Sequence, residues 1–297
     1  MIKLIVSDLD GTLLQENHLM NQETIDEIKK QMARGVDFMV ATGRDYPGVT
    51  PIFENTGIDH GFSTNIQNEG FSLGNYILLN GAQYRDHGGV IKDNIRLSAS
   101  QIKAVGEIFA RFHVVWNVYT ADGIASLFNE EENLDAFMET AWLDGFCTPD
   151  TSKETYRDFY VGLKVYSTID ELLAHEPDIL KMEVHDGDRE KIHQLQEALM
   201  QVEDIAIAIS KPINIEVTHA DAQKGIMLMK VIEKQGLCSD EVMVIGDSAN
   251  DLSMLTRFKY SFAVANGAQA AIEAANYLTA DNTDLGVVKA IRQLCKD

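Results

Sequence analysis

The chain of 297 residues carries 46 acidic and 25 basic side chains, which gives a formal net charge of −21. This charge argues against nucleic acid and anionic membrane surfaces as partners, because both require a basic face on the protein. With 45% hydrophobic residues and no apolar run near the roughly 18 residues of a membrane helix, the sequence predicts a globular protein of one large or two ordinary domains.

The first part of the chain alternates between predicted strands and helices. Residues 2–7 predict a strand, residues 21–34 an amphipathic helix with Asn21 as its N-cap, and residues 35–44 a second strand. A third apolar run covers residues 75–82. This alternation is typical of a parallel sheet with helices on its faces.

The middle of the chain is richer in strands and reads as a separate α+β module. The helix over 98–112 has apolar residues at helical spacing and a serine at its start. The other predicted elements are strands over 113–120, 161–167, 179–185 and 205–210 and helices over 130–145, 169–175 and 188–201.

The last part of the chain returns to the first pattern. The segment "EVMVIGDSAND" (241–251) predicts a strand that runs into a turn and a helix start, and "YSFAVANG" (260–267) predicts another strand. We therefore predict an α/β protein with a Rossmann-like, doubly wound parallel sheet. Residues 1–82 and 211–297 form this sheet domain, and residues 83–210 are the inserted α+β domain.

The sequence also predicts a cytoplasmic location. The apolar stretch at the N-terminus is too short for a signal peptide and runs directly into Asp8 without a small-residue cleavage site. The three cysteines are odd in number and lack the spacing of metal ligands, which is typical of thiols in a reducing cytosol.

Three predicted strands of the sheet domain end in polar side chains. These are Asp8 and Asp10 after the first strand, Thr42 and Arg44 after the second, and Asp247 and Asp251 after the strand that begins near residue 241. Ligands of such sheets bind beyond the carboxyl ends of the strands. Carboxylates this close together resist joint ionisation unless a cation holds them, and a site of oxygen ligands alone suits Mg²⁺.

The same sheet edge offers donors for a phosphoryl group. Lys224 in "DAQKG", the hydroxyl of Thr42 and the backbone amides around Gly43 are the candidates. Such local positive charge overcomes the distant negative field of the chain, which salt already screens within about 8–10 Å. The sequence therefore predicts a small phosphorylated molecule as the ligand.

Several other chemistries are excluded by spacing. A calcium loop that starts at Asp8 would need glycine and glutamate where Leu13 and Leu19 stand. The chain has no P-loop, and no G-x-G-x-x-G follows its first strand. The segment "GDSAN" lacks the second glycine of a nucleophile elbow, and no histidine follows Ser248 to complete a Ser–Asp–His order.

Together these motifs resemble the haloacid dehalogenase superfamily. The resemblance rests on these motifs: "DLDGT" at the first strand end, "ATGR" (41–44) at the second, "NGA" (80–82), "INIEVT…KG" (213–225), "GDSAND" and "AANYLTADNTDLGV". The large insertion resembles the class IIB cap of Cof-type phosphatases. The connection over 59–75 is longer than this family leads us to expect, and it is a candidate hairpin, edge extension or lip over the site.

The resemblance implies a role for each acidic residue. Asp8 would be the nucleophile that forms an aspartyl-phosphate, and Asp10 would be the general acid and base. Mg²⁺ would be held by a carboxylate oxygen of Asp8, the backbone carbonyl of Asp10 and Asp247, with Asp251 as an outer-sphere partner.

The resemblance also assigns the polar residues around the acidic ones. Thr42, Gly43 and Lys224 would bind the phosphoryl group, and Asn250 would orient the site. Arg44 is a candidate for contacting the substrate or for capping an adjacent helix. Asn80 is a candidate for lining the site or for satisfying the turn in which it lies.

The predicted function is that of a Mg²⁺-dependent phosphatase of small phosphorylated metabolites, with sugar phosphates as the favoured class. A phosphomutase of the same cap class is the alternative enzyme. A non-catalytic phospholigand-binding protein is the third hypothesis, but a binder has no need of the paired Asp8 and Asp10. The oligomeric state and the physiological substrate stay open at this stage.

Overall fold

A computed structural model of the chain describes residues 1–53, 56–58, 75–121, 123–127, 164–176, 178–209 and 213–295. The chain divides into two compact units. The first unit comprises Met1–Ile95 and Asp221–Asp297, and the second comprises Arg96–Ala220.

The described strands and helices alternate along most of the chain. The strands are β1 (Leu4–Ser7), β2 (Asp37–Ala41), β3 (Asn75–Leu78), β4 (Gln83–Asp86), β5 (Ile91–Asn94), β6 (Trp116–Thr120), β7 (Ile124–Leu127), β8 (Lys164–Tyr166), β9 (Ile179–His185), β10 (Ile205–Ala208), β11 (Asn214–His219), β12 (Val242–Gly246), β13 (Tyr260–Ala263) and β14 (Tyr277–Leu278). The helices are α1 (Gln22–Ala33), α2 (Tyr46–Phe53), α3 (Ala99–Arg111), α4 (Ile169–His175), α5 (Arg189–Leu199), α6 (Lys224–Gln235), α7 (Leu252–Leu255), α8 (Gln269–Ala274) and α9 (Gly286–Leu294).

The first unit is built on one eight-stranded sheet. Its strand order is β14-β13-β12-β1-β2-β3-β4-β5. The strands from β14 to β3 are parallel, whereas β4 and β5 add an antiparallel edge. Strands β1 and β12 are buried along their whole length, as expected where helices cover both faces of a sheet. The predicted α/β class with a parallel sheet is confirmed.

Local signals fix the helices of this unit. The side chain of Asn21 accepts a hydrogen bond of 2.8 Å from the backbone N–H of Glu23, so the predicted N-cap of α1 is confirmed. Helix α6 ends at Gly236, which adopts the left-handed conformation that glycine tolerates best. Among the helices of the described ranges, none is both long enough and apolar enough to cross a membrane.

The second unit is an α+β module with its own sheet and core. Its strand order is β10-β11-β9-β6-β7-β8, and its pairs are antiparallel except for β7 with β8. Ser98 caps α3 by accepting a hydrogen bond from the backbone N–H of Gln101, and the side-chain oxygen of Gln101 accepts one from the backbone N–H of Ser98, which completes a capping box. Alternate residues of the strands, such as Trp116 and Val184, are buried in the hydrophobic core of this unit.

The two units divide the chain later than the predicted boundaries at 83 and 210. Strands β4 and β5 follow residue 83 but join the sheet of the first unit, because β4 forms an antiparallel pair with β3. Strand β11 follows residue 210 but pairs with β9 and β10 in the second sheet. An apolar run predicts a strand but not the strand with which it pairs, so the sequence pattern alone could not assign these strands to a sheet. The predicted helix over 130–145 lies outside the described residues, as does nearly all of the connection over 59–75.

The second sheet carries a buried cluster of charges on β9 and β11. The ammonium of Lys181 lies 2.9 Å from Glu216 Oε1 and 3.2 Å from Glu183 Oε2, and Lys181 is 2% exposed. Burial acts to lower the pKa of Lys181, but the two carboxylates outweigh it and raise that pKa. Burial acts to raise the pKa of Glu183, but Lys181 and its other partners lower it to about 2. Each charge is therefore tolerated in the interior only because its partners are present.

Removal of the Lys181 charge is expected to destabilise the second unit strongly. Lys181→Met leaves two buried carboxylates without their cation, and the expected loss is about 3–5 kcal/mol in the free energy of unfolding. The measurement is urea unfolding followed by tryptophan fluorescence, since both tryptophans of the chain fall within 96–220. Lys103→Met is the control, because Lys103 pairs with Asp170 at the surface and exposed pairs contribute at most about 1 kcal/mol.

The difference between wild type and Lys181→Met should depend on pH. The pKa of Glu183 lies near 2 in the folded protein against an ordinary value of 4.5. Its ionisation therefore stabilises the wild type above pH 4.5, and this contribution is lost as the pH falls from 4.5 towards 2. We expect the gap to be widest near neutral pH and to narrow over that interval. A gap independent of pH would show that Lys181 acts by packing instead of charge.

Candidate active site

Three neighbouring parallel strands bring the predicted residues to one edge of the first sheet. Strand β1 lies between β12 and β2 and runs parallel to both. Asp8 follows β1, Thr42 follows β2 and Asp247 follows β12. Since the carboxyl ends of parallel strands share an edge, residues from both ends of the chain become neighbours there.

The carboxylates of Asp8, Asp247 and Asp251 form an acidic cluster at this edge. One oxygen atom of each lies within 4.8 Å of the others. Burial raises the pKa of Asp8 well above its usual range, and repulsion from the other two carboxylates adds to this effect while Lys224 opposes it. Burial and the charge of Asp251 raise the pKa of Asp247 to about 6. The cluster therefore carries more negative charge than its protein surroundings balance.

Lys224 is the cation of this cluster. Its ammonium donates hydrogen bonds of 2.6 Å to Asp8 Oδ1 and 2.8 Å to Asp251 Oδ1, and the side chain is fully buried. Burial would lower the pKa of Lys224, but Asp251 and Asp8 outweigh that effect and raise the pKa. One ammonium thus faces three carboxylates.

Close packing of two helices places Lys224 in this position. Lys224 is the first residue of α6, and Gly225 follows it. A Cβ atom at Gly225 would lie 2.0 Å from the backbone oxygen of Ser253 in α7, so only glycine allows this approach. The backbone N–H of Gly225 also donates a 2.8 Å hydrogen bond to Ser253 Oγ.

The turn after β1 is shaped around Asp247. Gly11 has a φ of +78°, and a Cβ atom there would lie 2.6 Å from Asp247 Oδ2, so both the backbone conformation and the space require glycine. Thr12 Oγ1 donates a 2.9 Å hydrogen bond to Asp247 Oδ1. Asn266 Nδ2 donates another, also of 2.9 Å, to the backbone oxygen of Gly11. These bonds fix the turn against the loops that follow β12 and β13.

The Asp10 side chain lies outside the acidic cluster. Its carboxylate is 46% exposed and forms a two-pronged ion pair with Arg44: Nε donates to Oδ2 at 2.7 Å and Nη2 donates to Oδ1 at 2.5 Å. His18 Nδ1 lies 3.6 Å from Asp10 Oδ1. Partial burial acts to raise the pKa of Asp10, but the hydrogen bonds and charge of Arg44 lower it. Asp8 and Asp10 therefore occupy opposite electrostatic environments.

A second set of hydrogen bonds joins the end of β2 to the loops beside it. The Thr42 backbone oxygen accepts a 3.0 Å bond from the N–H of Asn80, and Thr42 Oγ1 accepts a 3.2 Å bond from the N–H of Arg44. Asn250 Nδ2 donates a 3.1 Å bond to Asn80 Oδ1, and Ser248 Oγ donates a 2.8 Å bond to Asn250 Oδ1. Gly43, partly exposed, lies between Thr42 and Arg44 in this turn.

The structure thus places the predicted residues in three connected groups. They are the acidic cluster with Lys224, the pair of Asp10 with Arg44, and the chain of Thr42, Asn80 and Asn250. Arg44 pairs with Asp10 and also donates a bond to the backbone oxygen of Gly48 in α2, and its contact with substrate stays a prediction. The sequence singled out Thr12 for a hydrogen bond across the turn, and the structure directs that bond to Asp247. Sequence reasoning missed two further residues: His18 beside Asp10 and Asn266 on the turn. No local pattern marks either contact.

The acidic cluster fits a divalent cation with oxygen ligands. Three carboxylates surround a single ammonium, and the raised pKa of Asp247 reflects the resulting excess of negative charge. Both oxygens of Asp251 are already engaged, one by Lys224 and the other by the backbone N–H groups of Asp247 and Ser248. Asp8 and Asp247 are therefore the better candidates for direct ligands, and Asp251 suits a supporting position.

A parallel sheet that gathers paired aspartates, a lysine and a second acidic loop at one edge defines a class of hydrolases. The model of the haloacid dehalogenase-like hydrolases matches residues 5–291, and the chain belongs to this family. The superfamily and the hydrolase class expected from the motifs are thereby confirmed.

Individual relatives are similar along the whole chain. The 5-amino-6-(5-phospho-D-ribitylamino)uracil phosphatase YwtE of Bacillus subtilis (strain 168) is 26% identical over 296 residues, which cover 99% of this chain and 98% of that protein. A solved haloacid dehalogenase-like hydrolase from B. subtilis has a TM-score of 0.78 at 24% identity, with 99% of this chain and 100% of that chain covered. The HAD subclass IIB sugar phosphatase BT4131 has a TM-score of 0.73 at 19% identity, with 99% of each chain covered. These two structures support the fold.

Proposed function

We propose that this chain is a Mg²⁺-dependent phosphatase that hydrolyses small phosphate monoesters through an aspartyl-phosphate on Asp8. One observation carries the proposal. Two carboxylates two residues apart have opposite surroundings: Asp8 is 4% exposed beside Lys224, while the Asp10 side chain is 46% exposed beside Arg44. Distinct environments for paired carboxylates are the usual basis of distinct catalytic roles.

In the first step, Asp8 attacks the phosphorus of the substrate. An Asp8 carboxylate oxygen forms the new P–O bond while the bond to the leaving oxygen breaks, which yields the acyl phosphate and an alcohol. The rigid attachments of Asp8 favour this role. Its backbone N–H donates a 3.0 Å bond to the oxygen of Ile245, and its Oδ1 accepts from Lys224. A nucleophile held in this way loses little further freedom when the substrate binds.

Asp10 moves the proton in both steps. It protonates the leaving oxygen in the first step, and in the second it takes a proton from the water that attacks the phosphorus of the acyl phosphate, so that the bond from phosphorus to Asp8 breaks and inorganic phosphate and the free Asp8 carboxylate are released. The pair with Arg44 lowers the pKa of Asp10 in the structure, which suits the base of the second step. The approach of a phosphate dianion raises the pKa again, because a second negative charge nearby disfavours the ionised form.

The remaining residues of the site bind charge. Asp8, the Asp10 backbone carbonyl and Asp247 would hold Mg²⁺, which supplies positive charge to the phosphoryl oxygens when it is bound. Lys224 already neutralises part of the acidic cluster and keeps the carboxylates in place. Thr42, Gly43 and Lys224 are the proposed donors to the phosphoryl group, and Asn250 is proposed to orient the phosphate-binding site.

The proposed substrates are phosphate esters of sugars or sugar alcohols. The relatives support this class, because YwtE acts on a phosphoribityl compound by name and BT4131 is a sugar phosphatase. We further propose that the second unit, residues 96–220, is a cap that sets the preference among metabolites. Arg44 and Asn80 stay predictions as substrate contacts, and in the structure both also have partners within the first unit.

Metal removal is the direct test of this function. Phosphate release from sugar phosphates should require Mg²⁺, stop when EDTA is added and return when Mg²⁺ is restored. Ca²⁺ should inhibit, because it accepts more ligands in looser geometry and would misplace Asp8 for in-line attack. The measurement is inorganic phosphate released across a panel of metabolites, with each metal added alone.

Two results would contradict the proposal. Full turnover in EDTA would exclude the metal-dependent site, and conversion of a sugar phosphate to its isomer without free phosphate would identify a phosphomutase. The same assay tests the phosphomutase alternative when a sugar bisphosphate is added. If the chain is a phosphatase, the bisphosphate should not accelerate the release of phosphate from the sugar phosphate.

A further inference from the structure

The carboxylate of Asp10 depends on one side chain for its orientation. Both of its oxygens accept hydrogen bonds from Arg44, at 2.7 and 2.5 Å. His18 is also nearby, but its Nδ1 is 3.6 Å from Asp10 Oδ1 and its side chain is 66% exposed. A two-pronged Arg–carboxylate pair fixes both the direction and the plane of the carboxylate.

Arg44 itself is anchored on several sides. Its Nη1 donates a 3.2 Å bond to the backbone oxygen of Gly48 in α2, and its own backbone N–H bonds to Thr42 Oγ1 at 3.2 Å. The Arg44 backbone oxygen accepts a 3.0 Å bond from the N–H of Leu79. The guanidinium is therefore held by the end of β2 and by α2, and it holds the Asp10 carboxylate on the turn after β1 in a fixed position relative to them.

We propose that Arg44 is the positioning residue of Asp10, the side chain that aims the carboxylate for proton transfer. The inference rests on the proposed function, in which Asp10 is the general acid and base. It differs from a substrate-binding role because Arg44 acts through Asp10. It also differs from a purely electrostatic role, since the two-pronged geometry requires a guanidinium that lysine cannot imitate.

Four variants test the proposal: Arg44→Gln, Arg44→Lys, Asp10→Asn, and the double variant Asp10→Asn with Arg44→Gln. Arg44→Gln should lower kcat for a sugar phosphate by about 10²-fold, the cost of a misplaced catalytic group, with a small change in KM. Arg44→Lys should recover less than half of the decrease in log kcat, because an ammonium keeps the positive charge but cannot donate the two parallel hydrogen bonds of a guanidinium. The double variant should match Asp10→Asn within about twofold, since a positioning residue has nothing left to position.

The leaving group gives a second readout. Nitrophenolate needs no proton to depart, so its burst from p-nitrophenyl phosphate should keep the wild-type rate in Arg44→Gln and in Asp10→Asn. The control is Arg292→Gln in the first unit, where Arg292 donates bonds of 2.7 Å to Glu27 and 2.8 Å to Glu23 on α1. That variant should retain wild-type kcat.

Other outcomes would overturn the inference. A double variant slower than Asp10→Asn by the full Arg44→Gln factor, with raised KM and a slowed burst, would show that Arg44 binds substrate directly. A slowed burst with a lowered melting temperature would show a structural role. Absence of phosphatase activity in wild type, or no effect of Asp10→Asn, would remove the proposed function and this inference together. If wild type is active, Asp10→Asn is slow, and the losses from Asp10→Asn and Arg44→Gln multiply in the double variant, the proposed function stands and only the positioning role of Arg44 is removed.

Discussion

Asp8→Asn should reduce phosphatase turnover to the background of the assay. The substitution keeps the size of the side chain but removes the nucleophilic oxygen charge, so no acyl phosphate can form. Removal of a covalent nucleophile typically costs on the order of 10⁶-fold in kcat. The same change should not weaken the fold. Burial raises the pKa of Asp8 well above its usual range, so loss of its charge relieves repulsion in the metal-free protein.

The test therefore pairs kinetics with stability and with direct detection of the intermediate. Wild-type enzyme quenched during turnover should carry a phosphoryl group on Asp8, identified by mass spectrometry of its peptide. The melting temperature of metal-free Asp8→Asn should equal or exceed that of wild type. Asp26→Asn, at an exposed position of α1, is the matched control and should leave turnover unchanged. Phosphate on another residue, or normal turnover of Asp8→Asn, would overturn the assignment.

The part of the site that sequence could predict is the part that strand topology determines. Asp8, Thr42 and Asp247 each stand directly after a buried strand, and parallel strands bring such ends together whatever the loops do. The excess of carboxylates and the need for a cation followed from residue types alone. The helix caps at Asn21 and Ser98 could be predicted equally well, because capping is decided within four residues.

The part that sequence could not predict depends on contacts between turns. The pair of Arg44 and Asp10 requires the Gly11 turn and the turn after β2 to face each other, and neither turn encodes the other. For the same reason the sequence leaves the role of Arg44 open and does not predict its pair with Asp10. For a similar reason the sequence does not predict to which sheet a strand belongs. Strand β11 carries the apolar pattern of any strand, and its pairing with β9 is decided by packing. Periodicity describes one element, whereas these features belong to two.

Lys224→Met should abolish activity and also destabilise the first unit, unlike Asp8→Asn. Lys224 is fully buried between Asp8 and Asp251, and its removal leaves the acidic cluster without a protein cation. Loss of one partner from a buried ion pair costs about 3–5 kcal/mol. The measurement is urea unfolding of the metal-free protein. The control is Lys230→Met, the same exchange at an exposed position of the same helix, which should change the free energy of unfolding by less than about 0.5 kcal/mol.

Two further measurements separate charge balance from packing as the cause. Mg²⁺ binds the folded state and should stabilise wild type by mass action, and it should stabilise Lys224→Met more, because the variant has one positive charge fewer against the same carboxylates. The double variant Lys224→Met with Asp251→Asn removes one negative charge as well and should regain part of the lost stability. If neither Mg²⁺ nor the second substitution recovers stability, the volume of the lysine stem and not its charge holds α6 against the cluster. The three carboxylates of the acidic cluster would then tolerate one another without a cation, which would remove the electrostatic argument for a metal at this edge of the sheet.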